Sequence, residues 1–402
     1  MAELQSVEAA LAALLKGVAP VDSETVACEA AGRRVLAEEV IARLDVPPFD
    51  NSAMDGYALH HADAGMQLPV AQRIVAGTSP EPLARGTCAR IFTGAAMPTG
   101  ADCVVMQENV EVAGGEASIP AAVPVGNNVR RRGNDVAAGT VLLHRGERLN
   151  AAALGYVASQ GIVEVAVRRR PRCALLTSGD EIVEPGQALE PGQIYNTNRP
   201  MLRDLLESFG AEVTFIASMP DDADGTRAML ALAAEQADVV VTTGGVSVGE
   251  EDHVRAAIEA IGQLDLWRLA LKPGKPLALG RLVASDGREV RFVGLPGNPV
   301  SSFVAAWLFL RPLLGALLDC PAMGSLPILP THAAFATRTG PRRHYMRVTL
   351  TMDGNGIKAH AFPDQGSGVL SSCVGADALA VIPANAAIEE GDRIDCLWLR
   401  VD

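Results

Sequence analysis

The chain has 402 residues, of which 49% are apolar, 20% charged and 4% aromatic, and its formal charge is −13. That length exceeds what one hydrophobic core holds and implies roughly two to four domains, while the composition excludes a disordered chain. The acidic balance excludes a non-specific binder of nucleic acid or acidic membrane, because no excess of Lys and Arg is present to displace counterions. The basic runs Arg130 to Arg132 and Arg168 to Arg170 are local exceptions.

Seven cysteines are scattered without a Cys-x-x-Cys pair, so neither a disulfide framework nor a zinc site is suggested, and a reducing cytoplasm fits best. The N-terminal MAELQSVEAALAALLKG lacks a basic segment followed by an uninterrupted apolar core, so it reads as an amphipathic helix over residues 1 to about 20 rather than a signal peptide. A second helix is expected over Ser23 to Ala31. Residues 43–59, RLDVPPFDNSAMDGYAL, break all periodicity and read as a loop in which Asp55 stands beside the turn residue Gly56. His60 and His61 are adjacent, cannot both face one ligand on regular structure, and are expected at the surface.

From about 70 to 140, short strands (QRIVAG, CARIFTG, DCVVMQENV, GTVLLHRG) punctuated by Gly and Pro indicate a small β-rich lobe carrying Thr93 and Asp135. Residues 149–168 predict a helix and a strand that tie this lobe back to the body. At Arg172 strands and helices begin to alternate: CALLTS, RPMLRDLLESFG, EVTFIAS, DGTRAMLALAAEQ, DVVVTT, DHVRAAIEAIG, RFVGLP, PVSSFVAAWLFL. Such alternation predicts right-handed crossovers and a parallel sheet covered on both faces, over about 172–318. The most apolar stretch, Phe303 to Leu318, is interrupted by Arg311-Pro312 and short for a membrane span, so a buried helix is expected. The last 80 residues return to strands and predict a second β-domain.

The fold class is therefore α/β: a central parallel-sheet three-layer domain (171–322), two smaller β-rich domains (45–139 and 323–402), and a helical linking domain (1–44 with 140–170) in an elongated multidomain chain. The first helix is free to pack on the α/β domain instead.

Each strand of the central domain ends in something chemically pointed. After CALLTS stands Gly179-Asp180-Glu181; after EVTFIAS, Met219-Pro220-Asp221-Asp222. After DVVVTT a glycine turn, Gly244-Gly245 to Ser247 and Gly249, ends in Glu250, Glu251 and Asp252. WRLALKPGKP supplies Arg268, Lys272 and Lys275, and GLPGNP gives Pro296, Gly297, Asn298 and Pro299 just before a helix. Alone, each is more often a cap or turn, and Asp252 could simply cap its helix. With all strands parallel, however, the loops share one sheet edge. There, glycines let backbone N–H groups approach an anion, and carboxylates that would repel a bare phosphate are reconciled with it by Mg²⁺. No P-loop, Rossmann fingerprint or nucleophile elbow is present.

In these motifs the chain resembles the molybdopterin molybdenumtransferase family, the bacterial MoeA proteins and the gephyrin E domain. The resemblance rests on PPFDNSAMDGYA, RIFTGAAMP, RRRGNDV, TSGDE, GQIYNTN, TTGGVSVGEED, LKPGKP, GLPGNPVS and PDQGS, in the family's order. The related molybdopterin adenylyltransferases usually read GGTG where this chain reads GGVSVG. The resemblance implies Mg²⁺-dependent insertion of molybdenum from molybdate into adenylylated molybdopterin, with release of AMP. It further implies that Glu181 and Asp252 hold Mg²⁺ with Asp221 nearby, that Lys272 and Lys275 offset phosphate or molybdate charge, and that Pro296 and Pro299 shape the pocket. Arg347 and Ser367 would receive molybdate, and Asp55, Thr93 and Asp135 would reach the α/β domain of the other subunit of an elongated homodimer. A molybdopterin adenylyltransferase is an implied partner. Where the family often has lysine this chain has Arg268, a planar fork in place of a compact ammonium. The alternative reading is a scaffold of the gephyrin E-domain type without turnover; a convergent sugar-nucleotide enzyme is a weaker third.

Overall fold

The computed structural model describes residues 4–220, 222–244, 253–274, 276–354 and 356–400, without the side chains of residues 253, 266–268 and 276. Six strands form the central sheet: β1 (Arg172–Thr177), β2 (Glu212–Ser218), β3 (Val239–Thr243), β4 (Gly262–Arg268), β5 (Pro276–Val283) and β6 (Glu289–Leu295). Their spatial order is β2-β1-β3-β6-β5-β4. The first four in that order are parallel, but β5 runs antiparallel to β6 and β4 antiparallel to β5. The sheet is thus mixed, which corrects the all-parallel expectation. The reason lies in the Lys-Pro-Gly-Lys-Pro stretch: it turns the chain straight back, so no crossover helix separates β4 from β5. Since β4 points the same way as β6, the turn still emerges at the carboxyl edge of the parallel strands.

Side-chain alternation gives the sheet two buried faces. Leu175, Val239, Val241, Val293 and Leu295 meet the helices Val7–Leu15, Asn198–Ser208 and Pro299–Leu317. Ala174, Leu176, Val240 and Phe292 pack into the other core, with Leu230 of helix Ala223–Gln236 and Ile258 of helix His253–Ile261. This is the predicted three-layer domain, and the N-terminal helix belongs to its core. The helix Pro299–Leu317 is long and apolar enough to cross a membrane, but 83% of its apolar window is buried inside the fold. Arg311-Pro312 does not interrupt it. Proline lacks the N–H donor and crowds the carbonyl four residues back, and a wider π-turn over Ala306–Leu310 comes immediately before and accommodates it. Buried Arg311 donates to the carbonyls of Met323 (2.8 Å) and Ser325 (2.9 Å), which replace part of its lost hydration.

Ser23–Ala27 is a strand, not the expected helix. The β-branched pair Thr25 and Val26 lies antiparallel to Glu164–Arg168, Thr25 facing Ala166, and cross-strand pairing overrides the helical propensity of the flanking residues. Val141–Leu143 pairs with Val40–Ile41 in this linking region rather than with the β-lobe. The lobe itself is a six-stranded sheet in which Gly56–Leu59 lies between Cys103–Met106 and Cys88–Ile91. Near the carboxyl terminus, strands Ile328–Ala333, Arg343–Asp353, Gly356–Ala361, Ala378–Ile382 and Arg393–Trp398 pair in a closed ring. Against its expectation, the His60–His61 pair does face one group: both rings lie beside the Asp102 carboxylate.

Asp238 ties the linking region to the sheet. Buried just before β3, it accepts a two-pronged bond from Arg169 (2.7 and 3.0 Å) and the Arg172 N–H (2.7 Å). Burial pushes its carboxyl up, but the Arg169 bond, the Arg172 N–H and both positive charges outweigh this and hold it below the ordinary range. A depressed carboxyl contributes stability above its unfolded value near 3.9, and that contribution is lost as pH falls through the lower folded value. Asp238→Asn is expected to cost about 3 kcal/mol at neutral pH. In urea titrations the gap from the unmodified protein should narrow below about pH 4.

Candidate active site

Thr177 of β1 pairs with Thr243 of β3, which pairs with Leu295 of β6, so the three central strands end at one level. Ser178, Gly244 and Pro296 come directly after these ends. The Ser178 N–H donates to the Thr243 carbonyl (3.1 Å), and the Gly244 N–H to the Leu295 carbonyl (3.3 Å). Gly244 adopts φ +82°, and a β-carbon there would lie 2.7 Å from the Ser178 carbonyl oxygen. Only glycine serves at this point.

Above the strand ends opens a cleft of about 300 Å³ lined by Ser178, Glu181, Tyr195, Asn196, Asn198, Gly244, Gly297, Asn298 and Pro299, among others. Helix Asn198–Ser208 begins at this cleft, as does helix Pro299–Leu317, so two positive dipole ends adjoin one cavity. Asn198 binds them together by donating to the Gly297 carbonyl (2.7 Å). Asn196 donates to Glu184 (2.9 Å) and accepts the Arg199 N–H (3.1 Å), fixing the start of its helix. The Glu181 carboxylate is exposed and lies over Gly179, within 2.5 Å of where a β-carbon would stand. The arrangement suits an anion, with a carboxylate at its side for a cation.

A second cluster adjoins through residues 296–301, a short loop and the first turn of helix Pro299–Leu317. A β-carbon on Gly274 would contact Ser301 at 3.2 Å and Pro296 at 3.6 Å, so the turn that follows Lys272 packs on this loop. On its other side the Val300 N–H donates to the Ser367 carbonyl (3.1 Å). Arg347, fully buried, donates to Ser372 (2.9 Å) and the Gly366 carbonyl (3.0 Å), and its Nη1 has no partner among the described residues. The field here is positive. Burial, then the charges of Lys272, Arg347 and Arg342, push the His344 imidazole down to about 4, so it stays neutral at physiological pH.

Of the residues singled out in the sequence, Glu181, Gly244, Gly297, Asn298 and Pro299 line the cleft, and Pro296 leads into it. Lys272, exposed, is joined to that loop by the turn at Gly274, and Ser367 and Arg347 by the loop 364–367. Asp55 and Thr93 come together in the β-lobe: one Asp55 oxygen accepts both the N–H and the hydroxyl of Thr93, each at 2.8 Å. The Thr93 N–H and then its hydroxyl hold the Asp55 carboxyl below its usual range. Asp135 has an exposed side chain, while its N–H donates to Val46 (2.9 Å). None of these three lines the cleft of its own chain. Asp221, Gly245, Ser247, Asp252 and Lys275 lie outside the described residues, as does the side chain of Arg268. Ser178, Asn196 and Asn198 were not singled out; the signal for the last two was the polar run Tyr195 to Asn198 placed directly before an apolar-periodic helix.

A cleft at the carboxyl ends of the parallel strands of a mixed sheet, framed by glycine turns and helix N-termini, defines a ligand-binding α/β domain. Residues 5–161 match the MoeA N-terminal region (domain I and II), 174–316 the model described as "probable molybdopterin binding domain", and 332–399 the MoeA C-terminal region (domain IV). The chain is 42% identical to the molybdopterin molybdenumtransferase of Haemophilus influenzae over 74% of each chain. It is 35% identical to that of Synechococcus elongatus over 94% of this chain and 95% of the relative. Its fold superposes on the molybdopterin biosynthesis MoeA protein of Pyrococcus horikoshii with a TM-score of 0.84, at 27% identity, over 99% of this chain and 100% of that one. The chain belongs to the MoeA family of molybdenum cofactor biosynthesis.

Because the Gly244 backbone has no room for a side chain, Gly244→Ala is expected to destabilise the protein by about 1–3 kcal/mol. Thermal unfolding checks this; an unchanged midpoint would mean that Ser178 can move aside without cost.

Proposed function

We propose that this protein inserts molybdenum from molybdate into adenylylated molybdopterin and releases AMP, acting as a molybdopterin molybdenumtransferase. The observation that carries this reading is the stretch 296–301, a loop running into the first turn of helix Pro299–Leu317, which borders both the cleft containing Glu181 and the cationic cluster around Arg347. A substrate bound across that loop would place its phosphoanhydride on one side and the incoming oxyanion on the other.

The donors at the cleft are hard oxygens: the Glu181 carboxylate, the Ser178 hydroxyl, which has no partner among the described residues, and backbone carbonyls. That set fits Mg²⁺ rather than a softer ion. In this reading Glu181 and Asp252 hold it, with Asp221 nearby, and Mg²⁺ supplies charge neutralisation at the pyrophosphate. The chain's own residues do the rest. The Gly297 and Asn298 backbone, with the positive dipole ends of the two helices, binds and orients the phosphates, and Gly244, Gly245 and Ser247 are assigned to the same substrate. Lys272, Lys275 and Arg268 offset negative charge, Arg347 offers its unused N–H to a molybdate oxygen beside Ser367, and Pro296 and Pro299 fix the shape of the pocket. Asp55, Thr93 and Asp135 complete the site from the other subunit of a homodimer, which accounts for their absence from the cleft of their own chain. A molybdopterin adenylyltransferase hands over the adenylylated substrate in the cytoplasm, a setting supported by seven buried, unpaired cysteines.

Two experiments test this. Glu181→Gln and Asp252→Ala are each expected to slow AMP release from adenylylated molybdopterin by about 10²–10³-fold, with circular dichroism unchanged; undiminished AMP release in both variants would remove the mechanism. Co-expressed Asp55→Asn and Glu181→Gln chains should recover activity that neither variant shows alone, since a mixed dimer retains one intact shared site. No recovery in isolated mixed dimers would mean that each site is built from one chain.

A further inference from the structure

At the far end of the strand that begins next to Asp55, the β-lobe gathers three side chains that the proposed reaction does not use. Strands Gly56–Leu59 and Cys103–Met106 are antiparallel, with Leu59 opposite Cys103, so His60 and His61 leave one strand where Asp102 enters the other. The chain then turns tightly over His61–Asp63, which brings the two consecutive imidazoles to the same side, stacked with centroids 4.6 Å apart. One Asp102 oxygen accepts the His61 backbone N–H at 2.7 Å and so caps the turn. Capping requires nothing more. Yet the second oxygen lies 2.5 Å from His61 Nδ1 and 3.8 Å from His60 Nε2.

We propose that His60 Nε2, His61 Nδ1 and Asp102 form a binding site for a borderline divalent transition metal, with zinc as the reference ion. The three ligand atoms lie within 4.8 Å of one another. A tetrahedral zinc with bonds near 2.0–2.1 Å needs ligand atoms about 3.3 Å apart, a spacing that the observed separations bracket. Small side-chain rotations suffice, because all three side chains are partly exposed and the ion has a path from solvent. Two imidazoles and one carboxylate favour zinc, nickel or copper over magnesium or calcium, and leave a fourth position for water. Ligation moves each ring proton to the opposite nitrogen, giving up the His61–Asp102 bond and the Ala62 N–H contact to His60 (3.2 Å). Arg85, whose charge interacts with Asp102, is already held two-pronged by Asp63, which limits its repulsion of the ion. The site contains no cysteine, which is why cysteine spacing gave no sign of it. Its effect would be to pin Gly56–Leu59 to Cys103–Met106, stiffening the strand that leads from Asp55.

The test is calorimetric titration of untagged, chelator-treated full-length protein with zinc chloride, in excess Mg²⁺ to occupy oxygen-only sites, alongside Co²⁺ absorption spectra. One ion per chain is expected, with visible Co²⁺ bands and a higher unfolding temperature when zinc is present. His61→Gln and Asp102→Asn should each weaken zinc binding by at least about 10–100-fold and abolish the thermal shift, while His144→Gln changes neither. Thermal scans without metal establish that the variants fold. Zinc affinity unchanged in both variants, or no binding above buffer controls in the unmodified protein, would overturn the proposal.

Discussion

The structure depends on the register of three buried parallel strands. Because Thr177, Thr243 and Leu295 sit side by side in the ladder, the residues immediately after them are delivered to one level without any further interaction. Both faces of these strands are covered, by the two cores, so slipping any strand by one residue would turn its Val and Leu side chains into the wrong layer. The same packing that makes the sheet stable therefore fixes where Ser178, Gly244 and Pro296 stand. Gly244 shows how little tolerance remains at that level, since even a methyl group meets a backbone oxygen.

How the chain could be read depended on whether a segment's periodicity was its own or was imposed by a partner. The run Val239 to Val241, the glycines behind it and the alternation from Arg172 announced a sheet and its carboxyl edge. The strands Gly262–Arg268 and Pro276–Val283 were concealed because Lys, Pro and Gly between them read as an extended loop; hairpin pairing with each other and with β6 makes them strands. Ser23–Ala27 became a strand only because Glu164–Arg168, some 140 residues on, lies against it. Arg311-Pro312 looked like a stop because a proline rule assumes an α-helical turn before it, and here that turn is a π-turn. At the site, loops carrying glycine or acid next to a strand were legible, whereas Asn196 and Asn198 were not, because their role is to fasten one loop to another across the fold.

Charge explains the division of the site. A chain of net −13 that is to hold anions must gather its cations and exclude water around them. Arg347 carries this furthest: it is fully buried, and burial pulls its guanidinium below the ordinary value, against the opposing pull of Cys373 and Asp364, while it donates to Ser372 and the Gly366 carbonyl. Such an arrangement is stable enough to persist yet leaves an N–H unused, and in the proposed reaction an oxyanion is what would use it. Glu181, by contrast, stays exposed at the cleft, open to solvent and to a bound ligand.

The C-terminal ring of strands is thereby more than an appended domain. Leu271–Lys272 pairs in parallel with Arg343–His344, so the start of the lysine-bearing turn belongs to the C-terminal sheet while its end belongs to β5 of the central one. Arg342 reinforces the junction by donating to the carbonyls of Leu271 (3.2 Å) and Gly274 (3.3 Å). Backbone bonds of this kind do not stretch, so a displacement of the C-terminal ring would carry Lys272 with it, and Ser367 through its bond to Val300. In the proposed reaction the cations that meet molybdate are thus positioned by the C-terminal ring, and Gly244 and Glu181 by the central sheet. Tyr345 and Leu379 of that ring share one hydrophobic core with Leu175, Val241 and Leu295 of the central sheet, so packing as well as backbone pairing fixes the cationic cluster beside the cleft.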